Sequence, residues 1–370
     1  LTNTGTLTLT ATGTSAEATL PTQTVVSAGS LRIGNSGTGR LLLGGTLSLQ
    51  GGLLTSSDSR VFFPGDWFTA GWNPPPPPTA QVLITSGTWR NTGNLSLGST
   101  TGRSGVVTIS DRGSLFVGGI LSVLSGSMNV MPGGTLQIGI GGTTGVLDVA
   151  TFTNNGTLAF DRSDSFDHSG AISGSGGVVQ MGNGTLTLSG NNTYSGTTQV
   201  NAGVLVLSGN NSSPVRVSGG ILHVAYPYAL LGGNVSQWVP ANVTVDGGAM
   251  LSLDTSSFTP SLISQIISLG TGSSGLRDNA RIRLQVSSGS FSYSNPITNP
   301  NGGQNRIGLT KTGSGTLVLL GSNSYSGGTY IAAGVLQVGN GYTGGSITGD
   351  IQNDAVLSLN RSGAIVTLAG

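Results

Sequence analysis

The sequence predicts an all-β protein, a right-handed parallel β-helix (β-solenoid) with about 20 residues per coil and protruding loops. Three observations lead there. Glycine supplies 64 of the 370 residues, more than twice its ordinary share of about 7%. Charged residues make up 7%, against about 25% in an average protein, so the surface must be covered by Thr, Ser, Asn and Gly, which suit strand faces and turns. Finally, a short motif recurs along the chain at a nearly constant step.

That motif is Gly, a small or β-branched residue, Leu, any residue, an aliphatic residue, then Gly or Ser. It occurs as Gly29-Ser30-Leu31-Arg32-Ile33-Gly34, Gly113-Ser114-Leu115-Phe116-Val117-Gly118, Gly134-Thr135-Leu136-Gln137-Ile138-Gly139 and Gly334-Val335-Leu336-Gln337-Val338-Gly339. Glycine-led starts fall at positions 93, 113, 134 and 156, almost evenly spaced. The Leu-x-Ile alternation has period 2, so each unit holds a strand with one buried face, bracketed by glycine corners. Stacking such units joins their inward aliphatic residues into one continuous core, and crossover chirality favours right-handed winding.

In chain order, residues 1–57 read as N-terminal solenoid coils. Residues 58–80 read as an insertion that leaves the coil: Phe62, Phe63, Trp67, Phe68 and Trp72 precede Pro74 to Pro78, and proline cannot donate to a ladder. Residues 81–253 return to the solenoid and include a first long repeat, Gly184 to Leu207. Within them, 226–240 read as a protruding loop holding Tyr226, Tyr228 and Trp238. Residues 254–306 read as an irregular insertion, with a short helix expected after Pro260 from the spacing of Leu262, Ile263, Ile266 and Ile267. Residues 307–370 carry the second long repeat: segment 184–207 aligns without gaps on segment 315–338, and the two are identical at more than half of their positions. Leu186, Leu188, Leu317 and Leu319 are expected to point inward, with Tyr194 and Tyr325 in equivalent places.

Composition also excludes functions. Without cysteine, disulfides, cysteine-bound zinc, iron–sulfur clusters and thiol catalysis are ruled out. A net charge of +1 with no basic block gives nucleic acid nothing to hold. No apolar stretch approaches the roughly 18 residues of a spanning helix. The chain opens at Leu1 without a basic-then-apolar leader, as a piece of a longer protein would.

The segments Gly315-Thr316-Leu317 to Tyr325-Ser326-Gly327-Gly328-Thr329, and their copy at 184–198, resemble the passenger-associated transport repeat of bacterial autotransporters. Asn155-Gly156-Thr157-Leu158, Asp161-Arg162-Ser163 and Ser169 to Gly176 look like the lead-in to that repeat. Gly65-Asp66-Trp67-Phe68-Thr69-Ala70-Gly71-Trp72 is similar to the paired-Trp opening of surface-protein solenoid modules. The resemblance implies a type V secreted passenger, at the cell surface or outside a Gram-negative bacterium. Membrane attachment would come only from a C-terminal barrel that this sequence does not contain.

The residues offer little chemistry. Asp161, Asp164, Asp167 and His168 form the densest ionisable cluster; oxygen-rich spacing of this kind could hold Ca²⁺, but the Ca-binding nonapeptide of other β-helices is absent, which favours a solvated corner in which Asp caps turns. His223 is expected on an outward strand position. Asp246, Asp254, Asp278, Arg277, Arg281 and Arg283 are the residues a polysaccharide lyase or hydrolase would need clustered on one face; Arg281 and Arg283 share a strand face that could grip an anionic sugar. Five aromatic residues between 62 and 72 exceed what the solenoid bore can house, so Phe63, Trp67 and Trp72 are candidate binding residues for a surface glycan or protein receptor. No catalytic residue, metal site or cofactor is assigned. The expected function is that of a non-catalytic adhesin or structural rod. The alternatives are a carbohydrate-active β-helix and a subunit of an extracellular fibre. Ile351 to Ser362 repeats the pattern of Phe152 to Ser163 without a following Gly-Thr-Leu coil, so self-association through solenoid ends is also expected.

Overall fold

The computed structural model describes the strands and bends at 2–3, 6–9, 17–20, 23–26, 30–33, 40–43, 46–51, 53–56 and 59–61, and then residues 80–98 and 104–362. Phe63, Trp67 and Trp72, with the proline run after them and residues 363–370, lie outside the described residues. Two compact units divide the chain: residues 1–185 with 194–196, and residues 186–193 with 197–370.

In the first unit, every recorded strand pair is parallel and successive strands of one ladder come from successive coils. One ladder runs Ser30–Ile33, Leu53–Ser56, Thr88–Asn91, Ser114–Val117, Thr135–Ile138, Thr157–Phe160 and Gly177–Gln180. A second includes Thr46–Leu49, Ala80–Ile84, Gly105–Ile109 and Gly126–Val130. A third includes Ser59–Val61, Leu95–Leu97, Ile120–Val123 and Val146–Asp148. Three strands per coil, stacked in parallel on those of neighbouring coils, make a parallel β-solenoid. Its step is read in register: Ser114 faces Thr135, Thr135 faces Thr157 and Thr157 faces Gly177, close to the motif spacing.

The alternation decides which side chains are buried. Leu115, Val117, Leu136, Ile138 and Leu158 are fully enclosed, with Trp89 among them, whose indole N–H donates to the Ser56 hydroxyl at 2.9 Å. Corners are tight enough to require glycine. Gly126 has φ +117°, and a Cβ there would lie 2.0 Å from the carbonyl oxygen of Gly105 on the preceding coil. Neither the backbone angle nor the contact admits a side chain.

The second unit repeats this construction with longer excursions. Its main ladder is Val204–Leu207, Ile221–Val224, Met250–Asp254, Arg281–Gln285, Gly308–Thr312, Thr329–Ile331 and Ile351–Asn353. A shorter one joins Ser290–Tyr293, Thr316–Leu319, Val335–Val338 and Val356–Leu359. Leu186, Leu188, Leu317 and Leu319 all point inward and are 2% exposed or less; Tyr325, and Tyr194 in the first unit, are both fully buried.

Two expectations need correction. Residues 254–306 are not irregular throughout, for Arg281–Gln285 and Ser290–Tyr293 are full ladder strands. Arg-Ile-Arg-Leu-Gln does alternate with period 2, but arginine at the outward positions departs from the Thr/Ser pattern elsewhere. The expected helix is present at Pro260–Ile267; the Thr259 hydroxyl accepts from the Leu262 N–H at 3.3 Å, and Ile263, Ile266 and Ile267 are buried. The loop at 226–240 does not simply protrude either. Tyr226 and Tyr228 are exposed and stacked, with centroids 5.2 Å apart, but Trp238 is buried, donating its indole N–H to the Leu230 carbonyl at 3.2 Å and meeting the Phe258 ring at 6.3 Å. Gln265 of the helix donates to the Val235 carbonyl at 2.7 Å. The two excursions therefore cover one another's apolar residues, which lowers the cost of leaving the ladder.

Candidate functional site

The acidic run of the first unit does not converge on one point. Arg162 donates to Asp164 at 2.8 and 2.9 Å, to the carbonyls of Thr143 and Gly145, and lies over the Phe166 ring at 4.7 Å. The arginine holds the Asp164 carboxyl below its usual range. Asp161 instead accepts from Gln137 at 3.2 Å. His168 is buried, its ring centroid 5.9 Å from that of Phe160 and its Nε2 without a hydrogen-bond partner. Among the described residues, no three His, Asp or Glu side chains come close enough to share a metal ion.

The candidates of the second unit separate into four groups. Asp246 accepts from Arg216 at 2.9 Å and Arg277 at 2.8 Å. Asp278 pairs with Arg306 at 2.9 Å, which holds its carboxyl down at about 2. Asp254 accepts from the Ser256 N–H and hydroxyl at 3.0 and 2.8 Å, capping a turn. The three carboxylates make these separate contacts and none with one another, so no acid–base pair is assembled from them.

The fourth group is the outward face around Arg281 and Arg283. Both arginines project from the same side of their strand, with Ile282 and Leu284 inward. Register places His223, Ser252, Arg283, Thr310 and Tyr330 in one row across five coils. Ser252, fully buried between its larger neighbours in this row, accepts from Arg283 Nε at 2.7 Å and lies 2.9 Å from His223 Nδ1. Thr310, also buried, accepts from Arg281 Nε at 3.3 Å. Burial and the neighbouring Arg283 push His223 below its ordinary value, with Asp254 opposing; burial alone lowers Arg283. Ser252 and Thr310 carry no motif, and only the register between strands brings them to the arginines.

His168 is likewise held below its ordinary value, by burial, with Asp167 and a contact to Leu147 opposing. Depressed folded-state values mean that the unfolded chain takes up protons first. Stability is therefore full above the unfolded value of about 6.5 and falls as pH drops below it. Thermal unfolding should show a lower midpoint at about pH 5 than at about pH 7.5, and His168→Phe should remove part of that fall. An unchanged slope in this variant would mean that His168 does not titrate with unfolding.

A family profile, the passenger-associated-transport-repeat, matches residues 178–207, 201–224 and 309–338. The first and third of these cover the two copies of the long repeat. Over 276 residues the chain is 29% identical to the adhesin BmaC autotransporter of Brucella suis biovar 1 (strain 1330), a match covering 72% of this chain and 7% of that protein. The chain thus corresponds to a small part of the relative's length. No solved structure matches the chain.

Proposed function

We propose that this chain, part of a bacterial autotransporter passenger, serves there as a non-catalytic adhesive module, displayed at the surface of a Gram-negative cell or released from it. The observation that carries this reading is the 29% identity, over most of the chain, to a protein described as an adhesin. The separate engagement of Asp246, Asp254 and Asp278 agrees with a binding rather than a bond-breaking role. A solenoid suits adhesion because its coils repeat outward-facing positions at a spacing of about 4.8 Å, giving each unit a periodic face on which weak contacts add up. The ligand is a surface glycan or a protein receptor, with Phe63, Trp67 and Trp72 as candidate contact residues.

Beads coated with the chain should bind cultured epithelial cells above albumin-coated beads, and the purified chain should release no reducing sugar from a polysaccharide panel. Bead binding no better than albumin, or sugar release that survives repurification, would sink the proposal.

A further inference from the structure

Arg281 and Arg283 differ from the other arginines of their unit that stand near acids. Arg216, Arg277 and Arg306 each hold a carboxylate, whereas neither Arg281 nor Arg283 pairs with one among the described residues. Their side chains are nevertheless fixed. Each presents its Nε to a buried hydroxyl, Ser252 at 2.7 Å for Arg283 and Thr310 at 3.3 Å for Arg281. Of the terminal guanidinium nitrogens of this pair, only Arg281 Nη2 makes a hydrogen bond among the described residues, a long one of 3.4 Å to the Leu309 carbonyl. Gly308 makes room for this pose, since a Cβ at that position would lie 2.9 Å from Arg281 Nη1. Two half-buried cations, about 6.6 Å apart along one strand face, are thus held from behind, with both terminal nitrogens of Arg283 and Nη1 of Arg281 making no hydrogen bond among the described residues.

We propose that this face binds an acidic polysaccharide, with Arg281 and Arg283 gripping its carboxylate or sulfate groups. A guanidinium whose Nε is already anchored still offers a planar pair of donors to an oxyanion, and less side-chain freedom is lost on binding. The row continues to both sides with groups suited to sugar hydroxyls: His223 beyond Ser252, and Tyr330 beyond Thr310, its hydroxyl donating to Asp354 at 2.9 Å. A chain lying across the strands would meet these groups at the ladder spacing. Nucleic acid fits less well, because two cations without a basic stripe neutralise too few phosphates. A protein partner would want an apolar anchor in a pocket, and this row has none. The proposal rests on the adhesive reading for its biological setting, but its physical test does not.

Binding of the whole chain to polygalacturonate, dextran sulfate and neutral dextran should be measured by calorimetry at low salt. We expect one or both anionic polymers to bind and neutral dextran not to; polygalacturonate alone would assign a carboxylate ligand, and dextran sulfate alone a sulfate ligand. The double variant R281Q/R283Q should bind at least about tenfold more weakly, while R216Q, a single loss of charge at a carboxylate-paired arginine, should leave binding unchanged. Ser252→Ala, which frees the Arg283 guanidinium without removing its charge, should weaken binding severalfold. Melting temperatures near that of the unchanged chain would show that these variants fold. The site is overturned if neither anionic polymer binds, if R216Q loses as much as the double variant, or if single-stranded DNA binds as tightly through the same arginines. Polymer binding lost in R281Q/R283Q with cell adhesion unaffected would support the site and place the adhesive contacts elsewhere on the chain. Anionic-polymer binding lost in the double variant, without any adhesion by coated beads, would support the site and remove the adhesive reading.

Discussion

Lys311→Met should destabilise the second unit by about 2–4 kcal/mol, whereas Lys311→Gln should cost much less. Lys311 is fully buried on an inward position of its strand, and its ammonium donates to the carbonyls of Thr312 at 2.8 Å, Gly313 at 2.8 Å and Ala333 at 3.1 Å. Methionine fills similar space but strands those carbonyls, each at a cost of about 1–3 kcal/mol. The loss is smaller than their sum because the ammonium is itself expensive to bury, as its depressed value of about 8 indicates. Glutamine should suffice because the strand just before the first long repeat already uses it. Gln180, which occupies the place of Lys311 when the two repeats are aligned, reaches the carbonyls of Gly182 and Gly184 at 2.8 and 3.3 Å. Denaturant unfolding of the three proteins decides the matter; a Met variant as stable as the Gln variant would show that the carbonyls find other partners.

Trp238→Ala should cost about 3–5 kcal/mol, the usual loss for a large aromatic removed from a closed site. The change deletes the contact with Phe258 and leaves the Leu230 carbonyl without its indole donor. Because the excursions at 226–240 and 254–269 shield one another, the damage should concentrate there. Hydrogen exchange should accelerate across 226–269 while the strands Thr316–Leu319 and Val335–Val338 keep their protection. A loss below about 1 kcal/mol, or exchange that rises equally in those strands, would contradict a locally closed cluster.

Much of this architecture is legible in sequence because stacking imposes the same demand on every coil. Alternation alone places Leu186, Leu188, Leu317 and Leu319 inward, and a common offset pairs Tyr194 with Tyr325. The helix at Pro260–Ile267 follows from its apolar spacing and a proline at its first turn. Other features depend on contacts between segments far apart in sequence. Met250 faces Arg281 in the ladder although the whole excursion with its helix lies between them, so motif spacing does not reveal that the two strands are neighbours. The burial of Trp238 depends on Phe258, and the anchoring of Arg283 depends on Ser252, each set by register rather than by local pattern. Nothing in its local sequence marks Lys311 as buried; only its strand position places it inside. The aromatic residues Phe63, Trp67 and Trp72 stand out by density alone, with no register to say what they meet.

The ladder bonds within each unit run from coil to coil, and the chain has no cysteine to stitch one coil to another. Under tension, a coil at the end of such a stack can peel away by breaking only its bonds to one neighbour, leaving the remainder folded. Each peeled turn, such as the one from Ser114 to Thr135, adds about 70 Å of extended chain. Force–extension traces of a unit should therefore show a train of small yields rather than one large rupture. The long excursions of the second unit should release longer increments than the regular turns. A stack made this way lengthens and dissipates load turn by turn before it fails.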